Sequence, residues 1–512
     1  MLLTLLDRMG EWNPQLFREL KGRLKPRNFL LTGAVSLVGQ FLLLLIASDE
    51  YTLGWHIQWQ IVFRCLDWML PFILLVGSVY MLIGDLAKEE HRGTLNFIRL
   101  SPQSSENILL GKMLGVPALL YLAIALAIPL HAVSALALGM PLNWLLGVYT
   151  LWGAAWCLFC GAALLITFLT GRESESKSLA GAGSTLAALF GLLYISVVDI
   201  SFDAYRTEFG LGDWKWFLLP LDNQALLAYV WAIITLSTAT YWIWQAVNRR
   251  FRNPNATLLS KQQSYWLVAG FEFWLLGFVV TEFNSVDADF YRGIGYGFLF
   301  MLNPFCFLLL TAILSPGRQA LQDWSRYRRS RAIARKNFWN RSLVQDLIWG
   351  EKSPALLAIA INLAIAAIIW VPWILLWHHN VSSQENFQTP QALMALLLTM
   401  NVILIYACIA ELMVFIKTQQ RQLWAAGTLG TIFLPMILLT VLSITPEKHP
   451  FLWLLSAFPA IGLQHASVTS VFLALLGQWG VLGLLSLQLT RQLRQVGESA
   501  SKTLLAGHPS SP

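Results

Sequence analysis

The sequence predicts an all-α polytopic integral membrane protein of about 12 transmembrane helices, set out as two six-helix halves with both termini cytoplasmic. Three observations carry that prediction. Hydrophobic residues make up 56% of the chain and charged residues 12%, whereas soluble domains keep about a quarter of their residues charged to face water. The mean hydropathy is accordingly high, at +0.58. Apolar runs of membrane-spanning length recur along the whole chain, and Lys and Arg concentrate in alternate connections between them.

A bilayer core takes about 20 apolar residues per helix. Such runs lie near 28–48, 63–84, 112–138, 144–170, 178–198 and 225–246, and again near 265–283, 292–315, 355–377, 391–416, 425–444 and 466–489. The stretch 451–465 is apolar but interrupted by Pro459 and Gly462, which suits a short interfacial or re-entrant piece. The first run follows a charged segment longer than the n-region of a cleavable signal peptide, so it reads as a span that stays in the protein. The 23 Trp residues fit the two membrane–water interfaces.

The positive charges orient the spans. Arg8 to Arg27, Lys88 to Lys112, Arg172 with Lys177, Arg249 to Lys261, Arg318 to Lys352, Lys417 with Arg421, and Arg491 to Lys502 all fall on one side. The other connections hold little more than Arg64, Arg206, Lys215, Arg292 and Lys448. The net charge of +7 therefore reflects inside loops facing anionic lipid and does not point to nucleic acid.

An internal repeat supports two halves. Pro117–Ile128 and Pro354–Ile365 are identical at nine of twelve positions, and each follows a long basic loop. Leu179–Ser184 and Leu423–Thr428 give a weaker echo. The expected organisation is a cytoplasmic N-terminus over 1–27, a first half over 28–250, a second half over 251–490 and a cytoplasmic tail over 491–512.

Cys65, Cys157, Cys160, Cys306 and Cys408 all lie in or beside apolar runs, which argues against an extracellular disulfide framework. Cys157 and Cys160 share one helix face. They are read as small packing residues, and no metal site is expected.

Two polar segments stand out. Asn13–Arg27 reads as an amphipathic helix with Asn13 as cap, Pro14 at its first position and Pro26 ending it. Trp12, Leu16, Phe17, Leu20 and Leu24 recur at helical spacing among basic residues, as in an interfacial helix; a plain topology anchor fits too. The second segment is Gly84–Gly115, GDLAKEEHRGTLNFIRLSPQSSENILLGKMLG. Leu95, Phe97, Ile98 and Leu100 supply an apolar face for a short helix that Thr94 opens after Gly93. Ser101-Pro102 breaks it, and Ser104 or Ser105 caps the next. Composition by itself also fits a solvated loop of mixed charge.

This second segment resembles the loop between the second and third spans of ABC-2 type permeases, E-(x)-E-R/K-G-T-L-E-x-L-x-x-[ST]-P followed by G-K. Glu89, Glu90, Arg92, Gly93, Thr94, Leu95, Ser101, Pro102, Gly111 and Lys112 occupy matching positions, with Lys88 just before them. His91 and Asn96 depart from the pattern. The amphipathic helix also resembles the interfacial helix of that family. The likeness extends over roughly 13–200; the second half carries the basic stretch Arg318–Lys352 in place of the motif.

The resemblance implies the transmembrane subunit of an ABC exporter in the bacterial plasma (inner) membrane. Lys88, Glu89, Glu90, Arg92, Gly93, Thr94, Ser101, Pro102, Gly111 and Lys112 would form the loop that docks an ATPase subunit. No catalytic residue and no cofactor is expected in this chain; ATP and Mg²⁺ would sit on the partner. Gly111-Lys112 is not a P-loop, since Glu106 stands at the first glycine position and Met113 at the Ser/Thr position.

Ionisable residues at membrane depth are costly and mark candidate functional positions. Glu272 and His131 are the candidates for a substrate path. Arg64 and Asp67 are expected to pair at the outer interface, and Glu411 to be structural. The alternative class is a secondary, major-facilitator-like transporter, whose G-x-x-x-D-x-x-G-R signature Gly84 to Gly93 partly echoes. Its longest inside loop should follow the sixth span, whereas here the longest follows the eighth.

Overall fold

In a membrane every backbone N–H and C=O must be satisfied within the protein, which leaves helices as the economical choice for an apolar chain. A computed structural model describes residues 11–50, 55–170, 176–207, 215–221, 225–280, 288–334, 341–376, 389–416, 427 and 430–496. It is predominantly α-helical, and among the described residues ten helices are long and apolar enough to cross a membrane. The protein is thus a multi-pass membrane protein of the all-α class.

The count differs from twelve at two places. The expected seventh span is a 19-residue helix, Lys261–Val279, whose polar opening (Lys261, Gln262, Gln263) and internal Glu272 lower its apolar character. In the expected eleventh, the described apolar helix is only Thr431–Val441, and most of 417–429 lies outside the described residues. The tail expected over 491–512 is described only to 496.

The chain divides into two compact units: Met1–Trp214 with Pro220–Pro254, and Lys215–Leu219 with Asn255–Pro512. In the first, α1 (Pro14–Arg23) precedes α2 (Pro26–Ile46). A strand pair, β1 (Ser48–Glu50) with β2 (Trp55–Ile57), leads to α3 (Trp59–His91). The short α4 (Thr94–Arg99) and α5 (Ser105–Gly115) follow. Then come α6 (Ala118–Ala137), α7 (Leu142–Thr170), α8 (Ser176–Thr207) and α9 (Ala225–Arg252). Helix α2 packs on α6, where Ser36 Oγ donates to the Ala123 carbonyl at 2.9 Å and Gln40 Nε2 to the Leu126 carbonyl at 3.3 Å. Helix α7 packs on α9 through Gly147 and Gly161, each set against a side chain of α9 (Tyr229 and Ile243).

In the second unit, α10 (Lys261–Val279) is followed by α11 (Ala288–Gly297) and α12 (Asn303–Leu314). The basic α13 (Arg318–Ala334) and α14 (Arg341–Trp349) lead to α15 (Leu356–Leu375) and α16 (Thr389–Val414). Helix α17 (Leu434–Val441) precedes two one-turn helices, α18 (Pro450–Leu454) and α19 (Pro459–Leu463), and the chain closes on α20 (Val468–Val496). Gly462 lets α18 and α19 meet, since a Cβ there would lie 2.8 Å from the Pro450 carbonyl oxygen.

The two units share a pattern of packing. Helix α10 packs on α15 as α2 does on α6, and α16 on α20 as α7 does on α9. Each unit also has a π-helical turn beside a proline. Ile73–Gly77 begins two residues after Pro71, and Phe298–Leu302 ends two residues before Pro304. A proline removes one helical hydrogen bond and its ring crowds the carbonyl four residues earlier. For Pro304 that carbonyl is Phe300, inside the wider turn Phe298–Leu302, whereas the turn Ile73–Gly77 follows its proline.

Candidate functional site

The site forms where α1, the end of α3, α4 and α5 converge. Asn13 caps α1 by accepting from Leu16 N at 3.0 Å, and its amide donates to the Asn107 carbonyl on α5 at 2.7 Å. Contact between the two helices is close because α5 presents glycines. A Cβ on Gly111 would sit 2.8 Å from Leu16 N, and one on Gly115 would sit 2.5 Å from Glu19 Cβ.

The expected apolar stripe of α1 is rotated in the structure. Leu16 and Leu20 are buried, but so are Gln15 and Glu19, while Trp12 is 59% exposed. Gln15 donates to Glu19 at 3.0 Å and Glu19 meets Lys112 of α5 at 2.7 Å, and that polar chain selects this face over a purely apolar one.

Lys112 is 1% exposed, and its ammonium meets three carboxylates: Glu19 at 2.7 Å, Asp85 at 2.8 Å and Glu89 at 2.6 Å. Arg23 pairs with Asp85 at 2.6 Å, and Arg18 with Glu89 at 3.1 Å and Glu19 at 3.3 Å. Three cations thus balance three anions. The oxygens of Glu19, Asp85 and Glu89 converge as a metal cage would, but the Lys112 ammonium already supplies the countercharge. Burial by itself would push the Lys112 ammonium down; the fields of Asp85, Glu19 and Glu89 outweigh it and hold the group above its ordinary value.

From this anchored base α4 projects. Gly93 takes φ +71°, a left-handed turn that glycine adopts without strain, and Thr94 Oγ1 donates to the Glu89 carbonyl at 3.1 Å. Leu95 is buried beneath the helix, whereas Phe97 is 78% and Leu100 83% exposed. The Arg99 guanidinium lies over Phe168 of α7 at 5.8 Å and Phe251 of α9 at 5.5 Å. Arg252 Nε donates to Ser105 Oγ at 3.1 Å. Ser104, not Ser105, caps α5, accepting from Asn107 N at 3.2 Å.

Of the residues singled out in the sequence, Glu89 and Lys112 meet directly, and Gly111 serves the helix contact. Lys88, Arg92, Thr94 and Pro102 are exposed; Glu90, Gly93 and Ser101 are half-buried. Sequence reasoning missed Glu19, Asp85, Arg18, Arg23, Arg99 and Gly115 as parts of the site. One signal was available: Gly111 and Gly115 four apart mark a helix face open to close approach.

His131 and Glu272 belong to different units. His131 is fully buried, with Nδ1 2.9 Å from the Tyr149 hydroxyl and Nε2 3.5 Å from Asp67 Oδ1. It stacks on Phe63 at 5.2 Å between ring centroids. Glu272 is 1% exposed and accepts from Trp370 Nε1 at 2.7 Å and Asn303 Nδ2 at 3.1 Å. Both are enclosed by their own units' side chains. Glu411 is likewise buried and caps α15, accepting from the backbone N–H groups of Ala355 and Leu356. Cys157 and Cys160 are free thiols packed in the core of the first unit. Comparison of the chain with protein-family models, with curated proteins and with solved structures finds no match.

Proposed function

We propose that this chain is the transmembrane permease subunit of an ABC-2 type transporter, an exporter of the bacterial inner membrane driven by ATP hydrolysis on a separate subunit. In this reading the chain crosses the membrane twelve times in two six-helix halves with both termini cytoplasmic. The unit boundary near 254 and the shared packing pattern fit two such halves.

The observation that carries the reading is α4. Phe97 on α4 and Leu100 just past its end face outward, while the base of α4 is fixed by Leu95, Arg99 and the Lys112 cluster. Two large apolar side chains, one on this six-residue helix and one at its C-terminal cap, are costly in water and suit a protein partner. A push on α4 passes through Arg99 to α7 and α9, and through the adjoining Lys112 cluster to α1, α3 and α5. That is the mechanical requirement for coupling ATP hydrolysis to helix movement.

The test is affinity capture of the chain from its native membrane. An ATPase subunit should be recovered, and the purified chain alone should neither bind nor hydrolyse ATP. Recovery of no ATPase, together with substrate flux that follows a proton gradient, would favour a secondary transporter and end this reading.

A further inference from the structure

Glu272 lies near the middle of α10 and is 1% exposed. Its Oε2 accepts both of the hydrogen bonds described above, from Trp370 on α15 and from Asn303, which opens α12 just past the π-helical turn Phe298–Leu302. Both donors are neutral. Among the described residues no Lys, Arg or His forms an ion pair with this carboxyl, and the Cys306 thiol on α12 lies within reach of its field. An ionised carboxylate held this way keeps an uncompensated charge inside an apolar bundle, which is costly.

A neutral acid fits the donor set better. As a carbonyl oxygen, Oε2 offers two lone pairs, and both are used. The proton then sits on Oε1. The cluster is short of donors in any case, since Asn303 Oδ1 is buried without a hydrogen-bond partner.

We propose that Glu272 is a proton-binding site of the second unit. It is a carboxylic acid while α10, α12 and α15 are packed together. When those helices separate and water reaches it, the Oε1–H bond breaks, the electron pair stays on oxygen and the proton leaves to water. Rearrangement of this unit is thereby linked to proton uptake and release, independently of what drives it.

Infrared difference spectroscopy of the purified full-length chain in lipid nanodiscs at neutral pH tests this without any partner subunit. Wild type minus Glu272→Gln should give a carboxylic-acid C=O band that shifts in D₂O. Trp370→Phe removes one donor to Oε2, so the same band should persist and move to higher frequency. Carboxylate bands in place of the acid band overturn the proposal, whether the charge is bare or held by Na⁺. Should Glu272→Gln not fold, wild type minus Trp370→Phe reads the same carbonyl and decides by the same criterion.

Discussion

The Lys112 ammonium lies 2.7 Å from the Glu19 carboxylate, joining two helices 93 residues apart in sequence. Neither group is exposed, and Asp85 and Glu89 complete the shell around the lysine. Removing one partner of such a buried cluster strands the others. Lys112→Ala should therefore lose about 3–5 kcal/mol of stability, because three carboxylates are left without their central cation. Thermal unfolding in detergent measures this, and a midpoint equal to that of wild type refutes the cluster's role as a clamp.

The same lysine sets a pH dependence. Its pKa is raised in the folded protein, so the folded state holds the proton more tightly than the unfolded state. The stabilisation is complete below the unfolded lysine value of about 10.4 and fades as pH rises through the higher folded value. The unfolding midpoint of wild type should approach that of Lys112→Ala only in that alkaline range. Convergence of the two curves near neutral pH contradicts this.

At Gly115 α1 lies close against α5. Gly115→Ala places a Cβ 2.5 Å from Glu19 Cβ, and the two backbones must part. Overpacking of this kind costs about 1–3 kcal/mol. Thermal unfolding of Gly115→Ala in detergent measures this, and a midpoint equal to that of wild type counts against the close approach.

At Gly93 the obstacle is conformational and not steric. Nothing lies within 4 Å of a Cβ built there, yet φ is +71°. Gly93→Ala should cost about 1–2 kcal/mol from the left-handed backbone, and Gly93→Asn less. Equal midpoints for the three proteins would show that the turn is not held in this conformation.

Phe97 and Leu100 separate docking from folding. Both face outward, so Phe97→Asp with Leu100→Asp should leave stability within about 0.5 kcal/mol. In the proposed complex the same double variant should abolish recovery of the ATPase subunit. Full recovery with normal coupling would move the docking surface elsewhere.

The membrane class of this protein was legible in its composition, because 56% hydrophobic against 12% charged residues cannot be hidden from water in a soluble fold. The expected spans mostly return as helices, since backbone satisfaction in lipid forces each run to be helical by itself. The run 265–283 is less clear by length and composition, for Glu272 and the polar start of α10 are tolerated only through Asn303, Trp370 and the acceptors around Lys261. The loop 84–115 was visible as patterned polarity between apolar runs. Its inner workings were not. Nothing local tells that Lys112 turns inward while Lys88 faces water, or that Glu19 belongs to the same cluster as Asp85.

Sequence by itself determined where the chain must be helical and lipid-facing, because those demands act on each segment separately. Which charges are spent internally and which remain exposed was decided by tertiary structure alone. Lys112 is buried where three carboxylates from two distant helices meet it, and that depends on how α1 lies across α3 and α5.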